Sequence, residues 1–445
     1  VAAVTPDSQN CPTPFSAPAN NLEAMLAILT THPIQYQVPL WQALARDGRV
    51  RFEVWYLCDH AIRATHDPEF GRAFAWDLGQ GSLEGYPHRF LSINEKWSLH
   101  PSDFFGIRLT GALGPLLRER GVTALWIQGW QKYAYWQAAS QARQAGVEVW
   151  LRGETNDLAP SGGLLKGWLK RIRLRRLFSQ VDRFLFIGSA NRRFYRNHGV
   201  AEQRLFPAPY CVDNARFAAQ AEALRSQRSE IRRRWGIADE ACCVLFCGKF
   251  ISKKRPLDVV AAAKLLADDR TSSPIHLLFV GSGELGGELR AATAAAFDAE
   301  NPTGPLPSSP DEARPRASFA GFLNQTEISR AYVAADVLVL PSDHGETWGL
   351  VVNEAMASTL PCIVSDAVGC GEDLVVPVDP VRRYPLGDIG ALASAIGAFH
   401  GEGRAGGNLA AVVSRHDFAA TITTLAEISS RTETPTRTSK FVPGR

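Results

Sequence analysis

The feature that most constrains this chain is an alternation, met twice, of short apolar runs with helix-like stretches. From Met25, "LAILTTH" leads into the helical "QVPLWQALARDG" and then "RFEVWYL"; "TALWIQG", "YAYWQAASQARQAG" and "VEVWLRG" repeat the pattern, and "LLKGWLKRIRLRRLFSQ" precedes the strand-like "VDRFLFIGS". The runs are continuously apolar, as strands covered on both faces must be. Strand–helix–strand alternation implies a parallel sheet. The stretch "RLFPAPYCVDNARF" (204–217) interrupts the pattern with two prolines and reads as an inter-domain linker. An arginine-dense helix is expected over Ala219–Trp235. The alternation then restarts: "CCVLFCGKF", helix 256–267, "IHLLFVGSG", helix 284–297, "ASFAGFL", helix 325–334, "DVLVLPS", helix 349–358 and "PCIVSD". The expected fold class is α/β, with two doubly wound Rossmann-like domains facing across a cleft.

A length of 445 residues exceeds what one core of ordinary size serves. The expected division is a disordered extension over 1–24, domains over 25–210 and 211–405, a helical segment over 406–428 and a disordered tail over 429–445. Met25 is the expected natural start, and 301–316, rich in proline and serine, is expected to be a surface loop. Net charge is +3, which gives no global case for nucleic acid. The eight cysteines form no C-x-x-C pair, and reduced, buried thiols are the expectation. No apolar run reaches the roughly 18 residues of a bilayer span, and the N-terminus has no basic-then-apolar leader pattern. A cytoplasmic protein is expected.

Gly281, Gly283 and Gly286 in "FVGSGELGGELR" have G-x-G-x-x-G spacing after an apolar run. A dinucleotide loop needs a strand-end acid about 20 residues later to hold a ribose. Here that position falls in the proline-rich insertion. The glycines are read as a strand-to-helix turn where backbone comes close to something, a plain tight turn being the alternative.

The segment "PSDHGETWGLVVNEAMAS" (341–358) carries most chemistry. Glu346 is expected on a loop and Glu354 inside the helix that follows. A helix start offers free N–H groups and a positive dipole end to phosphate, and flanking carboxylates can accept from sugar hydroxyls. Taken singly, each acid could equally be an ordinary surface residue. In "CGKFISKKRP", Lys249 follows a strand and Lys254 precedes a helix opening at Pro256. Such lysines can neutralise a diphosphate leaving group; a solvated charge run is the alternative.

These residues resemble the retaining glycosyltransferases of family 4, which have the GT-B fold. "GETWGLVVNEAMAS" is similar to that family's E-x7-E signature, with Trp348 where Phe is usual, and "GKF…KK" to its phosphate-binding basic pair. "FVGSGEL" resembles its glycine turn, "FAGFLNQTEISRAYVAADVLVLPS" the segment reaching the base, "PCIVSDAVGCGEDLV" the following strand and loop, and "YCVDNARF" its hinge. The resemblance implies an acceptor-binding N-terminal domain and a nucleotide-sugar-binding C-terminal one. It implies that Glu354 holds the ribose, Glu346 the transferred sugar, and Lys249 and Lys254 the diphosphate. Thr347, Trp348, Gly349, Leu350 and Val351 surround the phosphates, Gly281 and Gly283 underlie the nucleotide, and Phe322, Leu323 and Asn324 lie near the base. The likeness weakens in the N-terminal half. "THPIQYQVPL" offers His32 and Tyr36 where the family often has glycine, and Arg152 and Glu154 stand where it often has His.

The function this implies is retaining transfer of a hexosyl group from a UDP- or GDP-sugar to a saccharide or lipid-linked hydroxyl acceptor, in cell-surface polysaccharide or glycolipid biosynthesis. No D-x-D occurs, so no obligatory metal is expected, and no cofactor beyond the nucleotide-sugar co-substrate. Alternatives are a nucleotide-sugar epimerase, a non-catalytic sugar-nucleotide binder, or an NAD-dependent dehydrogenase. Residues 164–178 carry six basic residues and no acid, and read either as a helix resting peripherally on an anionic membrane or as a core helix with a solvated basic face. Most tryptophans should be core; Trp97, Trp130 and Trp136 are candidates to stack on sugar rings.

Overall fold

A computed structural model describes residues 24–60, 65–67, 72–74, 83–100, 102–158, 164–267, 274–299, 316–402 and 408–432. The expected extension over 1–24, the tail and the loop at 301–316 fall almost wholly outside the described residues.

In the N-terminal half, β1 (Met25–Thr30), α1 (Val38–Asp47) and β2 (Arg51–Tyr56) form the first unit, followed by a small antiparallel pair, β3 (Thr65–Asp67) and β4 (Arg72–Phe74). Then come β5 (His88–Phe90), α2 (Leu113–Glu119), β6 (Val122–Ile127), α3 (Tyr133–Gln144), β7 (Glu148–Leu151), α4 (Leu164–Phe178), β8 (Arg183–Phe186), α5 (Ser189–Asn197) and β9 (Leu205–Pro207). Seven of these strands make one parallel sheet in the order β5-β2-β1-β6-β7-β8-β9.

The C-terminal half opens with α6 (Asn214–Leu224) and α7 (Arg228–Arg234). It continues through β10 (Cys242–Cys247), α8 (Pro256–Ala267), β11 (Ile275–Val280), α9 (Gly286–Ala296), β12 (Asp298–Ala299), β13 (Arg316–Gly321) and α10 (Ser329–Ala334). β14 (Val337–Leu340), α11 (Leu350–Ala357), β15 (Cys362–Ser365), β16 (Arg383–Tyr384), α12 (Ile389–Glu402), α13 (Leu409–Val413) and α14 (Phe418–Ser429) complete it. Its sheet is also parallel, in the order β12-β13-β11-β10-β14-β15-β16. Two doubly wound Rossmann-like domains are thus present, as the alternation implied.

The central strands are buried along their length, β1, β6 and β11 at every residue. Each sheet is covered by one apolar cluster on either face. Trp55 and Leu125 lie on one side of the first sheet, Trp41 and Trp126 on the other. Leu245 and Val352 lie on one side of the second, Phe246 and Val259 on the other. Burying a side chain of this size contributes about 1.5–3 kcal/mol before conformational entropy is charged against it.

Three expectations are corrected. The linker reading of 204–217 runs too long at both ends, because Leu205–Pro207 is the edge strand of the first sheet and α6 begins at Asn214. Pro207 is tolerated there because an edge strand can forgo one ladder N–H. The single helix expected over Ala219–Trp235 is two, α6 and α7, separated by a tight turn at Arg225–Gln227. Helix 325–334 is shorter than expected and starts at Ser329. α14 returns to the first domain, where Ile422, Leu425 and Ile428 pack with Trp41 and Leu44 of α1. The seven cysteines of the described residues are free thiols, six of them buried.

Candidate active site in the interdomain cleft

In a doubly wound sheet the strand order reverses at one point, and the loops leaving the carboxyl ends there diverge to form a crevice. In the second sheet the reversal lies between β10 and β14. The loops that leave these strands are "GKFISKKR" and "PSDHGETWG". They are laced together by backbone, Asp343 N–H donating to the Lys253 carbonyl at 2.8 Å. Lys254 Nζ forms an ion pair with Glu346 Oε2, with both side chains largely shielded from water. Ser342 Oγ donates to the same carboxylate oxygen at 3.4 Å.

Gly349 caps the start of α11 with φ +102°, a conformation open to glycine and strained for other residues. It has no side chain with which to cap the first N–H groups of that helix, so the dipole end opens directly on the crevice. Glu354 sits one turn in. Tyr332 Oη donates to its Oε2 at 2.5 Å. Burial pushes the Glu354 carboxyl up to about 7, against the opposing pull of that hydrogen bond and of the Arg216 guanidinium.

The opposite wall comes from the N-terminal domain. Glu154 lies on the loop after β7, and that loop is pinned by α5: Gly153 N–H donates to Tyr195 Oη at 2.8 Å, and Asn191 Nδ2 to the Gly153 and Thr155 carbonyls at 3.0 and 2.6 Å. Tyr210 Oη donates to Glu154 Oε1 at 2.6 Å and lies 2.5 Å from Tyr36 Oη. The buried Arg152 guanidinium lies 4.6 Å from the Tyr210 ring centroid, and its Nε has no partner among the described residues. Burial, then the neighbouring Glu154, pushes the hydroxyls of Tyr36 and Tyr210 well above the ordinary phenol range, so both stay protonated donors.

The two walls are fastened beside the site. Asn156 Nδ2 donates to the Thr347 carbonyl at 3.1 Å, and Asn353 Nδ2 to the Tyr210 carbonyl at 3.2 Å. Asp373 accepts from Ser189 N–H and Oγ at 2.9 and 2.7 Å, at the start of α5. Trp348, 2% exposed, donates from its indole to Asn353 Oδ1 at 2.8 Å and packs so tightly on Gly188 that a Cβ there would overlap the ring.

Between the walls lies a cavity of about 410 Å³. Of the sequence-predicted residues it brings together Lys249, Lys254, Glu346, Thr347, Trp348, Gly349, Leu350, Val351, Glu354 and Glu154. Gly281, Gly283, Phe322, Leu323 and Asn324 do not line it. They lie further along the same carboxyl edge, at β11 and β13, joined by Gly281 N–H to the Gly321 carbonyl at 2.8 Å. What the two glycines approach is the protein's own backbone. A Cβ on Gly281 would collide with the Gly248 carbonyl, and one on Gly283 with Phe250, so this turn braces the lysine loop from behind. The side-chain Oδ1 of Asn324 is buried without a partner among the described residues. Tyr36 and Arg152 reach the cavity through Tyr210. His32 faces His60 edge-on at 5.1 Å; burial, then His60, holds it down at about 4, and it is neutral at neutral pH. Trp130 is packed in the core, stacked on Phe194, and is not a free stacking platform.

Tyr210, Tyr332 and Arg216 were not singled out from the sequence. Tyr210 lay in the stretch read as linker, and the other two reach the site only through packing of α10 and α6 against β10 and α11.

Residues 241–401 match the family model described as group 1 glycosyl transferases. The C-terminal domain resembles the group 1 glycosyl transferases. A D-inositol 3-phosphate glycosyltransferase of Geodermatophilus obscurus is 31% identical over 185 residues, 40% of this chain and 36% of that one. A 2-deoxystreptamine glucosyltransferase of Streptomyces kanamyceticus is 30% identical over 199 residues, 44% and 46% of the two chains. Each match therefore spans less than half of the relative. Among solved structures, a glycosyltransferase from Rickettsia africae superposes with a TM-score of 0.64 at 10% identity, covering 92% of this chain and 98% of the other. The Anabaena protein Alr3699/HepE, in complex with UDP and glucose, gives 0.58 at 15% identity, covering 91% and 99%. At such identities the likeness is one of fold, the GT-B arrangement of two Rossmann-like domains, and it extends over both halves of the chain.

Proposed function

We propose that the protein is a retaining glycosyltransferase of family 4 type that moves a hexosyl group from a nucleotide-diphosphate sugar to a hydroxyl acceptor. The observation that carries this reading is the convergence, in one cavity, of an uncapped helix start, Lys254, Glu346 and Glu354 from one domain with Glu154 from the other. A diphosphate at the start of α11 would accept from the N–H groups of Leu350 and Val351 and from Lys249 and Lys254. It would displace Glu346 from Lys254, freeing that carboxylate for the hydroxyls of the transferred sugar. Glu354, held by Tyr332, would accept from the ribose. The nucleoside would run along the carboxyl edge toward Phe322, Leu323 and Asn324.

The bond that breaks joins the anomeric carbon to the diphosphate oxygen, which keeps the electron pair. The acceptor oxygen bonds to that carbon on the same face and gives its proton to the departing phosphate. Charge grows on the leaving group as the bond opens, and the lysines and helix dipole stabilise it where it grows. The absence of D-x-D supports a reaction without an obligatory divalent metal, and loss of activity in EDTA with recovery in Mn²⁺ would count against that. UDP or GDP is the proposed donor nucleotide. A saccharide or lipid-linked acceptor, used in building cell-surface polysaccharide or glycolipid on the cytoplasmic side, is the proposed setting. The complex of the Anabaena protein with UDP and glucose supports a sugar-nucleotide donor.

A thermal-shift panel of UDP-, GDP- and ADP-sugars tests the reading. Stabilisation by one nucleotide class, with turnover only when an acceptor is added, is expected. Stabilisation by NADH alone would favour a dehydrogenase, and sugar interconversion without acceptor an epimerase.

A further inference from the structure

Helix α4 presents apolar side chains on both of its faces. A surface helix of a globular domain buries its apolar stripe and shows polar residues to water. α4 does bury Leu174, Leu177 and Phe178 in the N-terminal domain. Its opposite face, however, carries Trp168, Leu169 and Ile172, which are 59%, 49% and 44% exposed. Trp168 and Ile172 stand four residues apart, one above the other, with Leu169 beside them. Arg173, Arg175 and Arg176 flank them, Lys170 and Arg171 lie nearer the buried face with Arg171 donating to the Asn197 carbonyl at 3.2 Å, all five are exposed, and no acid occurs between residues 164 and 178.

The apolar surface continues off the helix. The Arg173 guanidinium lies over the Phe104 ring at 5.0 Å, and Phe104 meets Phe105 edge-on at 5.0 Å. Phe105 is 52% exposed. Together with Tyr133 and Trp136 these residues line a hollow of about 440 Å³. Of the seven large apolar side chains exposed among the described residues, three (Trp168, Leu169 and Ile172) stand on this one face of α4 and a fourth, Phe105, is linked to it through Phe104 and Arg173, so they are a concentration and not scatter. It shares no lining residue with the cleft cavity.

The charge pattern selects the occupant. A second copy docking through the same patch would set its basic rim against an identical one, which is repulsive. Nucleic acid would match the rim but not the outward Leu169 and Ile172. A bilayer interface matches both: tryptophan and aliphatic side chains enter the headgroup–acyl boundary, while arginine and lysine stems lie along them with their charges on lipid phosphates. We propose that the outer face of α4, with Phe105, docks the N-terminal domain on an anionic lipid bilayer. The proposal does not depend on the glycosyl-transfer reading.

The test is co-sedimentation of the full chain with phosphatidylcholine vesicles, with and without about one-third phosphatidylglycerol, at low and high salt. The expected result is at least about ten-fold greater partition onto anionic vesicles, falling as salt rises. The combined variant Trp168→Ser, Leu169→Ser, Ile172→Ser should lose about ten-fold of that partition. Its thermal midpoint should match the parent, because the three side chains are exposed and leave no cavity. Equal partition onto neutral and anionic vesicles, or no partition at all, would overturn the proposal. So would a triple variant that binds like the parent, or one that differs from it by turning a dimer into a monomer. Sugar-nucleotide thermal shifts on the same variant report the cleft separately, so failure of one reading is distinguishable from failure of the other.

Discussion

At the reversal point of the C-terminal sheet, the loops after β10 and β14 set charges against one another: Lys254 on Glu346, and Glu354 just inside α11. At the reversal point of the N-terminal sheet, between β1 and β6, the loops carry rings and braced donors instead. His32 is neutral and stacked edge-on, Trp130 is packed inward, and Glu154 on the neighbouring loop is held by Tyr210, which is bonded in turn to Tyr36. The same architecture thus makes one wall suited to a polyanion and another suited to uncharged hydroxyls. The difference lies in loop chemistry, since both sheets have the same parallel, doubly wound plan.

Lys254→Ala should break the charged wall most severely. If the proposed donor to the leaving diphosphate is removed in this way, kcat/KM should fall about 10²–10³-fold, mostly in kcat, by steady-state assay. An equal loss shared between kcat and KM would point to ground-state binding only.

Gly281→Ala tests whether the glycine turn supports this wall from behind. At φ +134°, against the Gly248 carbonyl, the added methyl should cost at least about 2 kcal/mol. The loss should appear in the unfolding of the C-terminal domain under urea. A neutral effect would mean the turn and the lysine loop are not packed as described.

Glu354→Gln separates stability from function. Burial raises this carboxyl from 4.5 to about 7, so the folded protein keeps a proton that the unfolded chain releases. Native stability from this group is therefore full below about pH 4.5, declines as pH rises to about 7, and stays lost above it. The amide removes that loss. Without ligand the variant should be more stable than the parent by about 3 kcal/mol at pH 8, and indistinguishable from it at pH 4. At pH 8 it should bind the donor more weakly.

Tyr210→Phe addresses the other wall and should have the smallest effect. Removing the hydroxyl that orients Glu154 should lower turnover about ten-fold. Donor affinity, measured by titration, should be unchanged. A change in donor affinity as large as that in turnover would erase the distinction between the walls.

The contrast between the walls also explains what the sequence disclosed. Strand alternation is local, so both domains were legible. Glu346, Gly349 and Glu354 lie within one strand–loop–helix unit, where spacing alone places them around a helix start. Tyr332 reaches Glu354 from α10, and Tyr210 reaches Glu154 from beyond the edge strand. Such partners are chosen by tertiary packing and leave no periodic trace. Pro207 misled for a related reason: it breaks a central strand and is tolerated at an edge, and position within the sheet is not written locally. The outward Trp168 and Ile172 were hidden because a helix with apolar residues on two sides looks, in sequence, like one with a wide buried face.

The binding position of a diphosphate decides most directly whether the start of α11 is the donor site. A crystal structure of the protein with UDP or GDP should show its phosphates at the first turn of α11, within hydrogen-bond reach of the Leu350 and Val351 N–H groups and of Lys254 Nζ, with Glu346 released from that lysine. Phosphates bound elsewhere, with the Lys254–Glu346 pair intact, would contradict it.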